Sequence, residues 1–276
     1  MLRAPLAINT NIKTISGTLP DNPFPFIFMY PPAHIIMYIG RNKLHLSFLS
    51  KTYIMTSMDT GLFILITDIL GTVAFAVSGA MAGIRKKMDI FGVNILALLT
   101  ATGGGIIRDL VTGSTPPAAF KNPFFVIIAA IAANFTFVFV WWEHKNKKNV
   151  SDKTRAIYDK FFFWFDTIGL AAFTADGVHT GLLGSHADNA FLVIFLGVVT
   201  GVGGGVLRDV LSLEMPYIFV KHIYACASII GAAVVYIVYV ITGSSEAAIL
   251  AGFFFVCAIR FCAARYGWNL PKAYKD

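Results

Sequence analysis

Thr100-Ala-Thr-Gly-Gly-Gly-Ile-Ile-Arg-Asp109 and Thr200-Gly-Val-Gly-Gly-Gly-Val-Leu-Arg-Asp209 are two versions of one segment, set 100 residues apart. Pro116 and Pro216 keep the same spacing. Upstream, Asp68-x-x-Gly71-x-x-x-Phe75 returns as Asp166-x-x-Gly169-x-x-x-Phe173 at an offset of 98. Two aligned blocks with nearly equal offsets mark an internal duplication.

What is duplicated follows from composition. The 276 residues are 57% hydrophobic and 13% charged, against about 45–50% and about 25% in a soluble domain. Mean hydropathy is +0.70. These values exclude a disordered chain and a basic nucleic-acid binder, and they point to a polytopic helical membrane protein. A membrane helix needs about 20 mostly apolar residues. Seven stretches qualify: residues 61–84, 90–113, 124–142, 161–183, 190–213, 222–242 and 247–264.

Basic residues orient these spans. Arg85, Lys86 and Lys87 follow span 1. Lys145, Lys147, Lys148, Lys153, Arg155 and Lys160 lie between spans 3 and 4. Lys221 lies between spans 5 and 6, and Arg260, Arg265, Lys272 and Lys275 stand at the C-terminal end. The opposite side has Lys121 alone. By the positive-inside rule the rich side, with the C-terminus, is cytoplasmic, and the membrane is the inner (plasma) membrane. The fold class expected is an all-α membrane protein. Residues 58–150 form a first three-helix repeat. Residues 151–243 form a second that enters from the other face, and residues 244–276 carry a seventh helix and tail. Inverted repeats of this kind commonly place a site at the midplane where they meet.

Residues 1–57 read differently. They hold Pro5, Pro20, Pro23, Pro25, Pro31 and Pro32 and no sustained apolar run. They are expected to be a poorly structured extension outside the folded unit, with Met58 as the functional start. Cys226, Cys257 and Cys262 are an odd number in apolar stretches, which suits packing rather than a disulfide framework or zinc site.

Gly103, Gly104 and Gly105 lie just past the centre of span 2, and Gly203, Gly204 and Gly205 lie at the equivalent depth of span 5. Three consecutive glycines cost about 3 kcal/mol of helix propensity relative to alanine. The symmetric pair is therefore expected to kink or locally unwind its helices beside a pathway. Unwound backbone is tolerated in a membrane only when buried in protein or lining water. The alternative is close packing through glycine.

Ionisable residues inside spans are functional candidates. Depth allows an Asp68–Arg108 pair in the outer half and an Asp166–Arg208 pair in the inner half. Asp109 and Asp209 are expected to point about 100° away from their arginine neighbours. Asp176, whose counterpart is Ser78, shares a helical face with His179 and is expected to be hydrogen-bonded locally. With Asp68, Asp109, Asp166, Asp176 and Asp209 against Arg108 and Arg208, the interior is acidic and favours cations. Trp141, Trp142 and Trp164 read as interfacial anchors. No His-Glu-x-x-His, Gly-x-Ser-x-Gly or Walker sequence is present, so no enzyme activity and no cofactor or metal is expected.

The doubled Gly-Gly-Gly-x-x-Arg-Asp motif in seven spans resembles the prokaryotic trimeric intracellular cation (TRIC) channels. Bacterial members are also grouped under a glycine-transporter domain name. The resemblance runs from Asp59 to about Gly267. It includes Ser78-Gly79, Lys87-Met88-Asp89-x-Phe91-Gly92 and Asp166-x-x-Gly169-Leu170. It implies a homotrimer in the lipid bilayer, with a pore for K⁺ and, less selectively, Na⁺ through each protomer. Helices 2 and 5, kinked at the glycine triplets beside Arg108, Asp109, Arg208 and Asp209, would line it. The lipid-binding Lys-Glu-Val of animal members is replaced here by Arg85-Lys86-Lys87-Met88. A facilitator for a small zwitterion such as glycine is the other reading, with Arg108 or Arg208 beside an aspartate to hold its two charges.

Overall fold

The computed structural model describes residues 46–146, 152–185, 187–220 and 223–268. Expectations for residues 1–45, Lys147, Lys148, Lys221, His222, Lys272 and Lys275 lie outside the described residues. The described chain runs α1 (Leu46–Arg85), α2 (Ile90–Val111), α3 (Ala118–Lys121), α4 (Phe124–Asn146), α5 (Asp152–Leu183), α6 (Ala190–Leu211), α7 (Tyr217–Val220), α8 (Tyr224–Thr242) and α9 (Ser245–Tyr266). Seven of these helices are long and apolar enough to cross a membrane, and no strand occurs among the described residues. Two differences from the sequence reading concern helix starts. The backbone of α1 is helical from Leu46, so residues 46–57 lengthen the helix ahead of the span at Thr60–Arg85. Helix α5 begins at Asp152, because its polar first turns precede the apolar run at Phe161.

Local chemistry sets the starts of the paired helices. Asp89 caps α2 by accepting from the Gly92 amide at 2.7 Å, and Asn189 caps α6 by accepting from Leu192 at 3.1 Å. These short polar side chains satisfy amides that have no partner within the helix.

The duplication is visible in the packing. Gly79 of α1 lets α2 come so close that a Cβ there would lie 2.6 Å from Thr100 Oγ1; at Gly177 of α5 a Cβ would lie 2.5 Å from Thr200 Oγ1. Between the repeats the contacts are reciprocal. A Cβ on Gly169 would meet the Phe75 ring at 2.1 Å, and one on Gly71 would meet Phe173 at 3.1 Å. The Phe75 and Phe173 rings themselves pack with centroids 5.3 Å apart. Reciprocal contacts between equivalent residues are the signature of a two-fold relation, here between α1–α4 and α5–α8. Helix α9 stands outside the repeats and packs on α5 and α8. Gly231 and Gly252 make its close approach to α8.

The interior is built from small residues: Ala76, Ala80, Ala97, Ala171, Ala172 and Ala175 are all fully buried. In lipid, helices associate through close van der Waals contact rather than by leaving water, so small side chains gain most. The large apolar residues face outward instead, with Phe120, Phe135, Phe191 and Phe219 all more than 70% exposed.

Candidate functional site

Helices α2 and α6 cross at the glycine triplets. A Cβ on Gly104 would sit 2.1 Å from the Thr200 carbonyl oxygen, and one on Gly204 would sit 2.0 Å from that of Thr100. Backbone thus meets backbone at equivalent points on the two-fold. The expectation of an unwound turn is corrected here: both helices run unbroken through their triplets. The physical reason is the partner helix. Glycine has no side chain to hold that helix off, and dispersion attraction between the two backbones offsets the propensity lost. Gly105 differs from its neighbours, since a Cβ there would meet only Arg108 Nη2, at 3.8 Å.

One turn further along α6, Arg208 is wholly buried. Its Nη1 donates to Asp166 Oδ1 at 2.6 Å and to Ser78 Oγ at 2.6 Å, and its Nε donates to Asp209 Oδ1 at 2.8 Å. Its guanidinium lies 4.7 Å over the Phe162 ring. The expected Asp166–Arg208 pair therefore forms. A third residue joins it that the sequence reading misplaces: Arg260 of α9 donates to Asp166 Oδ2 at 3.3 Å. Its sign puts Arg260 in the cytoplasmic basic cluster, yet it is 1% exposed. Its position inside the seventh apolar run, short of Ala264, is the signal for burial. Its guanidinium rests on Phe163 at 4.8 Å and Tyr224 at 4.7 Å. Among the described residues, the two charged halves therefore hold three arginines against five aspartates, a smaller excess than expected.

The other half follows the same plan with exchanged partners. Arg108 Nε donates to Asp109 Oδ1 at 3.0 Å, and its Nη1 donates to Asp176 Oδ2 at 2.7 Å and Thr180 Oγ1 at 3.3 Å. The expected Asp68–Arg108 ion pair does not form. Asp176, reaching across from the second repeat, takes the place that depth alone gave to Asp68. Asp176 and Ser78 occupy equivalent positions, so each arginine reaches the other repeat through the same site. Asp68 Oδ1 is buried without a partner. His179 is buried one turn along α5 from Asp176, whose expected local hydrogen bond is replaced by the bond from Arg108.

Asp109 and Asp209 do not point away from their arginines. Each accepts from the neighbouring Nε with one oxygen and caps the following short helix with the other, from Ala118 N at 2.8 Å and Tyr217 N at 2.9 Å. The rotation of about 100° between adjacent positions applies to Cβ vectors; the long arginine stem curls back across it. The two halves also differ in exposure. The Arg108 and Asp176 side chains are 11% and 16% exposed, whereas those of Arg208 and Asp166 are both 0%.

Comparison with known proteins fits this architecture. The sequence profile of a family described as "Glycine transporter" matches residues 65–141 and again 163–240, one match per repeat. A UPF0126 membrane protein of Vibrio cholerae is 38% identical over 220 residues, covering 78% of this chain and 84% of that protein. The UPF0126 inner membrane protein YadS of Escherichia coli is 34% identical, covering 76% of this chain and 95% of its own. A solved structure described as revealing the basis for conductance through TRIC cation channels is 35% identical, with a TM-score of 0.64, covering 76% and 97% of the two chains. The TRIC trimeric intracellular cation channel orthologue from Rhodobacter sphaeroides is 33% identical, with a TM-score of 0.64 and coverage of 74% and 98%. The chain belongs to the TRIC family. In this TRIC member both profile matches contain a glycine triplet, its Arg-Asp pair and the upstream aspartate, and each charged half is completed from outside its own repeat, by Asp176 in one and by Ser78 and Arg260 in the other.

Proposed function

We propose that this protein is a passive channel for monovalent cations, K⁺ and Na⁺, with a pathway inside each protomer at the crossing of α2 and α6. The observation that carries the reading is the interior charge: five aspartates against three arginines in the two halves around that crossing, among the described residues. A net negative, partly enclosed interior concentrates cations and repels anions. Likeness to solved TRIC cation channels supports the same class. Gly103–Gly105 and Gly203–Gly205 hold the two helices in contact, and the pathway runs beside that contact, along the charged halves. The protein works as a homotrimer, on the pattern of the trimeric orthologue. It resides in the inner membrane, as the name of the E. coli relative states for that protein, with its C-terminus cytoplasmic by the positive-inside rule.

The description of the matching profile favours a second reading, a facilitator of glycine. Arg108 beside Asp176 and Asp68 would hold the carboxylate and amine of a zwitterion. A bilayer recording of the purified protein in a KCl gradient separates the two. Discrete current steps reversing near the K⁺ potential support the channel. A silent bilayer with saturable, glycine-competed uptake into vesicles overturns it in favour of glycine transport.

A further inference from the structure

The two repeats place an aspartate at the same point, Asp68 on α1 and Asp166 on α5, but supply it with different positive charge. Asp166 receives Arg208 on one oxygen and Arg260 on the other. Asp68 receives neither kind of partner, and its buried Oδ1 has no donor at all. Around it stand Asp176 of α5, whose carboxyl lies within hydrogen-bond reach, and the Arg108 guanidinium of α2. That guanidinium is already engaged by Asp109 and Asp176. Beyond Asp176 stand His179 of α5 and Glu246 of α9. One arginine thus serves three acids in this half, whereas two arginines serve Asp166 and Asp209 in the other. The whole excess of negative charge in the two halves lies in this one, among Asp68, Asp109 and Asp176.

We propose that Asp68 and Asp176 together bind one monovalent alkali cation, for which a proton competes. The inference rests on the cation-pathway reading and names the residues that hold the ion. Two carboxyl groups within hydrogen-bond reach cannot both stay ionised without positive charge between them. In the other half guanidinium groups fill that role; here Arg108 bonds Asp176 and leaves Asp68 Oδ1 without a donor, and a mobile cation would supply the missing charge. Carboxylate oxygen is a hard donor suited to K⁺ or Na⁺. Among the described residues no group of three His, Cys, Asp or Glu converges, so the ligand set is too sparse for a calcium or transition-metal site.

The test is thermal stability of the purified full chain in KCl against N-methyl-D-glucamine chloride at matched ionic strength. At alkaline pH the wild-type melting temperature is expected to rise saturably with K⁺. That rise shrinks as pH falls and protons occupy the site. Asp68→Asn keeps the shape and removes the charge, and its melting temperature is expected to be indifferent to K⁺. Equal K⁺ stabilisation of both proteins, or none of the wild type, overturns the site. If Asp68→Asn does not fold, infrared difference spectra of the wild type decide. Exchange into K⁺ is expected to convert a protonated carboxyl band into a carboxylate band, and an unchanged carboxyl region overturns the proposal. Neither readout needs a current. A silent bilayer with K⁺-dependent stability removes the channel and keeps the site; conduction with K⁺-independent stability removes the site and keeps the channel.

Discussion

Arg208 Nη1 sits 2.6 Å from Asp166 Oδ1, and neither side chain has any exposed surface. Charges so far from water persist only when each has its partner, and removing one partner costs far more than the pair contributes. Asp166→Asn leaves the buried Arg260 without its carboxylate and leaves Arg208 with Asp209 alone. We expect a loss of roughly 3–5 kcal/mol, read as a sharp fall in detergent melting temperature or failure to recover folded protein. Adding Arg260→Met to Asp166→Asn should restore part of that loss, since it removes one stranded charge. A double variant no more stable than the single one would show that Arg260 does not depend on Asp166.

Gly104 and Gly105, neighbours in one triplet, should respond differently to alanine. At Gly104 the new methyl meets the Thr200 backbone, which cannot rotate away. Gly104→Ala, and Gly204→Ala by symmetry, should each cost about 2–3 kcal/mol through overpacking. At Gly105 the nearest atom is the mobile end of Arg108, so Gly105→Ala should be neutral or gain up to about 1 kcal/mol of helix propensity. Thermal unfolding of the three variants separates these outcomes. Equal effects at Gly104 and Gly105 would contradict the contact geometry.

Asp109→Asn tests whether this acid acts on ions or on structure. Its oxygens are taken by Arg108 Nε and the Ala118 amide. Weakening those charge-assisted bonds should cost about 1–3 kcal/mol. The reversal potential in a KCl gradient should move only slightly, because both Asp109 oxygens are already taken and only its share of the interior charge is lost. A shift toward anion permeability with unchanged stability would place Asp109 in the pathway instead.

The exposed ion pairs should matter little. Lys86 Nζ lies 3.1 Å from Glu214 Oε1, with side chains 35% and 37% exposed. Glu214→Gln should change stability by no more than about 0.5 kcal/mol. A larger loss in a melting experiment would mean that the loops after α1 and α6 are coupled more tightly than this geometry indicates.

The repeat is legible because residue identity at fixed offsets survives without any knowledge of contacts. The Asp166–Arg208 pair is legible because depth along a helix follows from counting residues. Depth fails for Arg108, since it allows Asp68 and only the packing of the two repeats brings Asp176 to it instead. Arg260 has the sign of a flanking charge but the position of a buried one inside its apolar run, and the position decides. The curl of each arginine back onto the next aspartate stays hidden because side-chain length and torsion are absent from a helical projection.

Sequence alone determined that the chain is a seven-span membrane protein with two inverted copies of one unit, because apolar length, basic loops and repeated spacing are properties of the chain itself. The tertiary structure alone decided what the glycine triplets do. Propensity gives the cost of glycine in a helix, about 1 kcal/mol each, but not what the missing side chain admits. Here it admits the carbonyl of a facing helix, and the helices stay whole. The tertiary structure also decided which aspartates are held by arginine and which one, Asp68, is left without such a bond, because pairing among several buried charges is settled by distances between helices that no spacing within one helix encodes.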